Sequence, residues 1–412
     1  MLRMTSKRVK ELVDKIHPPA VVCLNYLFFW CRTPSTDALY GHTMRAHDAL
    51  GGSASKLEGW LSGGLLLRAE KLKFVLNQLT ALTASCCVTK LKLPCRLKSQ
   101  DAAMLAGVLA QCQGLAHLDL CDNDIGAAGA ESLAGALGQC PSLTHLDLSR
   151  NVQWAKQTVE DLSQNGIGAG GAESLAGVLG HCAALTHLNL RENGIGPAGA
   201  ESLAGALGHC ASLAHLDLSL TQIGPDGAAS LARVLGQCQA LTHLDLSCNQ
   251  IESAGAESLA RVLGQCAALT RLDISSNRIN SDGAESLARV MGQCAALTHL
   301  DLSNNHIGAA GAESLARVLG QCISLTHLNL SSNDLRGAGA ESLARVLGQC
   351  AALTHLDLSN NHIGAAGAES LARVLGQCTA LAHLSLCGNG LRGADAERLR
   401  SSWRGQDSGL SL

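Results

Sequence analysis

The sequence predicts an α/β stack in which short parallel strands make one face and helices the other, without a single globular core. Three observations predict it. A stretch of 28 residues returns with small changes along most of the 412-residue chain; residues 297–312, LTHLDLSNNHIGAAGA, followed by the helix-like run 313–321, are one copy. A period between about 20 and 50 residues marks stacked repeats. Within the copy the apolar spacing changes: Leu300 and Leu302 are two apart, as on one face of a strand, while Ala312, Leu315, Ala316 and Leu319 form one helical stripe. Finally, the regular repeats contain no aromatic residue; Tyr26, Phe28, Phe29, Trp30, Tyr40, Trp60 and Phe74 precede them, Trp154 lies in an insertion and Trp403 in the tail. The core is therefore built of Leu, Val, Ile and Ala layers, closed only when neighbours stack.

A ladder of asparagines counts the units: Asn123, Asn151, Asn165, Asn193, Asn249, Asn277, Asn305, Asn333, Asn361 and Asn389, with Thr221 at one missing rung. Each stands where the chain leaves a strand. Inside a stack its amide can bond backbone groups that have no ladder partner. Thr221 can do less, so its rung is expected to be looser. The step from Asn151 to Asn165 is half a period and marks an insertion at 152–164, where DLSRN is echoed by DLSQN. This insertion is read either as a mobile rim loop with Trp154 as a ligand anchor or as a tolerated addition.

The form LxxLxLxxN, then a turn, then a helix, resembles the leucine-rich repeat family in its ribonuclease-inhibitor-like subclass, over residues 90–400. The resemblance implies a right-handed, horseshoe-shaped solenoid with a parallel β-sheet on the concave face and helices on the convex face. Taken in order, residues 1–55 form a mildly basic, partly disordered arm; residues 1–86 carry 11 Lys/Arg against 6 Asp/Glu. Glu11 and Asp14 count against a transit peptide, and the apolar run 20–31 is too short to span a bilayer. Residues 56–86, with Leu65, Leu66, Leu72, Val75, Leu76 and Leu79 at helical spacing, are expected to be a helical cap. The solenoid fills 87–391, opening on a degenerate unit with Leu91, Leu93, Leu97 and Leu105. Residues 392–412 are read as a charged cap helix and a disordered tail from 406.

Ten of the 18 cysteines form one column, Cys112, Cys140, Cys182, Cys210, Cys238, Cys266, Cys294, Cys322, Cys350 and Cys378. No secretory signal is visible, so the expectation is a cytoplasmic protein with reduced thiols packed as small core residues.

Two further columns fall opposite the buried leucines. One is His117, His145, His187, His215, His243, Arg271, His299, His327, His355 and His383; the other is Asp119, Asp147, Asn189, Asp217, Asp245, Asp273, Asp301, Asn329, Asp357 and Ser385. With Arg191 they are the expected partner-binding surface. Side chains standing parallel on a sheet do not converge on a metal, and near-copies of one His–Asp pair do not make one catalytic site. Histidine can change charge between pH 5 and 8. Repulsion along the column opposes protonation and the aspartates favour it, and the sequence does not decide between them. On the helices, Glu257, Glu285, Glu313, Glu341 and Glu369 each have an arginine four residues on, whereas Glu131, Glu173 and Glu201 have Gly135, Gly177 and Gly205. Lower local stability is expected before residue 210.

The net charge of −3 leaves no nucleic-acid footprint, and no phosphate loop, H-E-x-x-H or G-x-S-x-G is present. The family resemblance implies a non-catalytic scaffold for a protein partner, monomeric and without cofactor or membrane contact. A second resemblance, to the Ran GTPase activator, implies GTPase activation through Arg150, Asn151 and Arg191. A ribonuclease inhibitor proper alternates two repeat types and carries aromatics on its inner face; this sequence does neither.

Overall fold

A computed structural model describes residues 58–60, 89–93, 97–151 and 166–412. It divides into two compact units, Met1–Asn193 and Gly194–Leu412. The first unit contains β1 (Glu58–Trp60), β2 (Lys90–Lys92), α1 (Ser99–Leu109), β3 (His117–Asp119), α2 (Gly126–Leu137), β4 (His145–Asp147), α3 (Gly168–Leu179) and β5 (His187–Asn189). Its strands pair in chain order, all parallel. The second unit contains α4 (Gly196–Leu207), β6 (His215–Asp217), α5 (Gly224–Leu235), β7 (His243–Asp245), α6 (Glu252–Leu263), β8 (Arg271–Asp273), α7 (Ser281–Met291), β9 (His299–Asp301), α8 (Gly308–Leu319), β10 (His327–Asn329), α9 (Arg336–Leu347), β11 (His355–Asp357), α10 (Gly364–Leu375), β12 (His383–Ser385), α11 (Gly393–Ser402) and β13 (Leu410–Ser411). Its strands are likewise parallel and in order.

Each unit is thus a solenoid of strand–turn–helix modules, as the 28-residue period predicts. The middle residue of each of β2–β12 and the leucine or isoleucine that follows the strand point inward, as do the Ala–Leu–Ala–Leu stripes of α2, α4–α6 and α8–α10 and the isoleucine or leucine that precedes each of α2–α10. The column cysteines close the layers. Cys266 Sγ lies 3.5 Å from the Leu235 carbonyl of the preceding module and 3.7 Å from the Val262 carbonyl of its own. Burial pushes that thiol up to about 11, so it is an unreactive packing group, and among the described residues the column cysteines form no disulfide.

The asparagine ladder is fully engaged in the second unit. Asn305 donates to the carbonyls of Ile274, Leu302 and Ser303, and its Oδ1 accepts from the backbone N–H of Asn277 and Ile279. Thr221, equally buried, donates to one carbonyl, Leu218. In the first unit the ladder is incomplete: among the described residues the buried Oδ1 atoms of Asn151 and Asn193 have no partner. These two residues flank the insertion. β4 pairs with β5 in register across it, Leu146 opposite Leu188, so DLSRN supplies the rung. Trp154 and the rest of 152–164 lie outside the described residues.

Two expectations need correction. Glu58–Trp60, placed in a helix by the sequence reading, pair as a strand with Lys90–Lys92. Gly59 weakens a helix there, and the open edge of β2 has backbone groups to satisfy. The rest of the proposed cap, like most of the basic arm, lies outside the described residues. The tail is not disordered: Leu410–Ser411 add a last strand to β12, with the Leu386 N–H donating to the Ser411 carbonyl at 2.7 Å. The Trp403 indole fixes the approach by donating to the Gln406 carbonyl at 2.9 Å.

The five Glu–Arg pairs all form on the exposed face of α6–α10, at 2.5–2.8 Å. Exposed pairs of this spacing contribute only about 0.3–0.5 kcal/mol each.

Candidate functional site

The sheet face opposite the leucines is assembled by strand alternation: in β2–β12 the first and third residues point away from the buried middle one. Parallel pairing in register then sets histidine on histidine. In the first unit the rings of His117, His145 and His187 stack at 4.0 and 3.9 Å. In the second, His215 stacks on His243 at 4.0 Å, and His299, His327, His355 and His383 form one run at 4.0–4.3 Å. Arg271 interrupts the second column, with its Nη2 lying 3.3 Å from Nε2 of His299.

The orientation of the imidazoles follows from a threonine column that the sequence reading passed over. Thr144, Thr186, Thr242, Thr298, Thr326 and Thr354 each donate their hydroxyl to a carbonyl of the preceding module at 2.9–3.0 Å. Each hydroxyl oxygen also lies 2.8 Å from Nδ1 of the next residue's imidazole. A hydroxyl has one proton, and it is already donated. With that proton on the carbonyl, the oxygen accepts and Nδ1 carries the hydrogen. In the neutral ring Nε2 is then the acceptor. The recurring Thr-His dipeptide in LTHL was the signal available in the sequence.

The third-position residues are anchored from one side. Oδ1 of Asp217, Asp245, Asp273, Asp301 and Asp357 accepts from the backbone N–H of the serine two residues on, at 2.8–2.9 Å. This holds each carboxylate upright on the sheet. Asn189 and Asn329 each donate to the aspartate of the preceding rung, Asp147 and Asp301. At the start of the column Lys92 pairs with Asp119 at 2.5 Å. Asp119, Cys121 and Asp147 come close enough together to hold a cation, but the Lys92 ammonium supplies positive charge to this cluster.

His215, His299, His327 and His355 titrate opposite to the direction the carboxylates alone would impose. Burial, then the charges of His327 and Arg271, pull His299 down to about 4. His215, His327 and His355 are also lowered, burial being the largest cause in each. Conversely, burial and the neighbouring carboxylates of Asp245 and Asp301 push Asp273 up to about 6, against the pull of its bonds from Ser275. Between pH 7 and 5 this part of the face therefore loses a negative charge before His299 gains a positive one. The two groups act oppositely on stability. His299 takes up its proton more readily when unfolded, so its contribution is lost as pH falls from 6.5 towards 4. Asp273 takes up its proton more readily when folded, so stability is gained as pH falls through 6. In Asp273→Asn only the histidine side of this pair remains, and stability measured by urea unfolding should fall more steeply from pH 6.5 to 4 than in the unaltered chain.

Of the residues implied by the GTPase-activator resemblance, Asn151 is buried with its amide donating to three carbonyls. Arg150 bridges Asp122 and Glu192 at 3.3 and 3.4 Å. Arg191 stands at the turn after β5, with its backbone N–H bonded to Asn189.

A family model described as Leucine Rich repeat matches residues 111–134, 139–152, 157–176, 181–204, 209–232, 237–260, 265–288, 293–316, 321–344 and 349–372, more than half of the chain. The chain belongs to the leucine-rich repeat family. Most of the matched segments run from the end of one helix through a strand into the next helix. No curated protein matches the sequence. Solved structures similar to this leucine-rich repeat protein include an internalin (inlF) from Listeria monocytogenes, 20% identical, covering 82% of this chain and 94% of that one at a TM-score of 0.49. The functional domain of InlJ from Listeria monocytogenes is 17% identical over 79% of this chain and 58% of that one, at a TM-score of 0.43. Leiomodin-1 actin-binding site 2 is 17% identical over 37% and 88%, at 0.32. Among the described residues no helix is long and apolar enough to cross a membrane.

Proposed function

We propose that this leucine-rich repeat protein is a non-catalytic scaffold that holds a protein partner on the sheet face and the turns beside it. One contrast carries the reading. On α6–α10 five glutamates are each paired with the arginine four residues on, whereas the strands offer a repeated row of imidazoles and carboxylates anchored from below. Protein partners are the usual ligands of such repeated surfaces. The proposed contact set is His117, Asp119, His145, Asp147, His187 and Arg191 in the first unit. In the second it is His215, Asp217, His243, Asp245, Arg271, Asp273, His299, Asp301, His327, His355 and Asp357. Aromatic anchors are absent from this set, which favours modest affinity built from many polar contacts. A full helix in each 28-residue module supports the ribonuclease-inhibitor-like subclass, and the column of unbridged thiols supports a reducing, cytoplasmic setting; the chain acts as a monomer in this reading.

The test is a pair of charge reversals of equal size. Asp245→Lys with Asp301→Lys alters the sheet face, and Glu257→Lys with Glu313→Lys alters the helix face. Capture of a co-purifying protein should be lost in the first pair and kept in the second. The reverse pattern would move the binding surface to the helices.

A further inference from the structure

We propose that the second unit's sheet face takes an extended, arginine- or lysine-rich segment of its partner, whose guanidinium or ammonium groups donate to Nε2 of His327 and His355 and to the carboxylates of Asp301 and Asp357. The inference rests on the sheet-face reading above and adds the chemistry of the ligand.

The first support is the tautomer. Thr326 and Thr354 hold Nδ1–H, so the outward nitrogen of His327 and His355 accepts and does not donate in the neutral ring. A guanidinium or ammonium has only donors. The second support is that the chain performs this contact on itself: the Arg271 guanidinium lies 3.3 Å from Nε2 of His299, the next rung. In the first unit the Lys92 ammonium sits on Asp119, in the neighbouring column. The third is charge. The strands of the second unit contain five carboxylates, those of Asp217, Asp245, Asp273, Asp301 and Asp357, against one cation, Arg271. Among the described residues no lysine or arginine forms an ion pair with Asp245, Asp273 or Asp301. The lowered pKa values of His299, His327 and His355 keep these rings neutral, hence accepting, at neutral pH.

Spacing adds a rule. Asp301 and Asp357 are two rungs apart with Asn329 between. Two strand spacings are about 9.6 Å. Three residues of an extended polyproline-type chain rise about 9.3 Å. Cations at every third position therefore match the carboxylates.

The full chain is titrated, by fluorescence anisotropy, with three 12-residue peptides of one glycine–serine background carrying Arg, Gln or Glu at every third position. The Arg peptide should bind at neutral pH, and the Gln and Glu peptides at least about tenfold more weakly. Affinity for the Arg peptide should fall about tenfold in Asp301→Asn/Asp357→Asn and again in His327→Leu/His355→Leu. It should also fall in Thr326→Val/Thr354→Val, which keeps both imidazoles but frees their tautomer. Equal affinity for the Arg and Gln peptides, or an Arg peptide indifferent to all three variants, overturns the proposal. Selection from a random peptide display library on the same proteins separates this failure from that of the sheet-face reading. Binders that lack cations yet are lost in the face variants overturn the cationic chemistry alone. Binders indifferent to every face variant overturn both.

Discussion

Replacing Asn305 by alanine should cost the second unit about 3–5 kcal/mol, the largest single-residue effect expected in this protein. The side chain is buried and joins five backbone groups: three carbonyls take its amide hydrogens and two N–H groups donate to its oxygen. These groups belong to two successive modules, so the substitution leaves orphans in both. Each lost partner costs about 1–3 kcal/mol when water cannot replace it, and the terms are not additive. Asn305→Thr should cost less, because Thr221 shows what a threonine can still do at such a rung: one hydroxyl on one carbonyl. Urea unfolding gives the total. Amide exchange shows whether the loss is confined to neighbouring modules, as expected of a stack in which each repeat touches only its neighbours.

One substitution, glycine to alanine, should change stability in opposite directions at two positions of the same helix type. At Gly135, Gly177 and Gly205 an added Cβ would meet nothing within 4 Å. These glycines lie inside α2, α3 and α4 on exposed faces. Alanine there should add about 0.5–1 kcal/mol each by restoring helix propensity. Gly311 and Gly367 are different. A Cβ on Gly311 would come within 2.5 Å of Ile307 Cγ2 and 3.0 Å of the Ala284 Cβ, and one on Gly367 within 2.3 Å of Ile363 Cγ2 and 3.0 Å of the Ala340 Cβ. These contacts are with the preceding helix of the stack and with the residue just before the glycine's own helix. Overpacking there should cost about 1–3 kcal/mol. A shift of the same sign at both positions would mean that the helices do not stack at this distance.

Much of the fold was legible because each module carries both periods in full view: leucines two apart for the strand, then Ala and Leu at helical spacing. Stacking multiplies the signal, so the His and Asp columns could be placed on one face before any coordinate was known. The pieces that escaped are those outside the repeat. Glu58–Trp60 and Leu410–Ser411 are strands only because β2 and β12 have edges to cover, and nothing local to those residues announces it. The titration of the face also escaped. Whether repulsion or attraction prevails depends on ring separation and burial, and sequence spacing supplies neither. The threonine lock was legible, however: Thr precedes His in six modules, while Ala precedes His117, His215 and His383.

The lock is also where the reading of this surface is most exposed to test. With the full chain labelled with 15N at histidine, long-range proton–nitrogen correlation at neutral pH reports which ring nitrogen carries the hydrogen. His299, His327 and His355 should show protonated Nδ1 and bare Nε2, and Thr326→Val should mix the tautomers of His327 alone. Rings protonated at Nε2, or carrying both hydrogens at neutral pH, would mean the sheet presents donors instead of acceptors and would contradict the partner chemistry assigned to it.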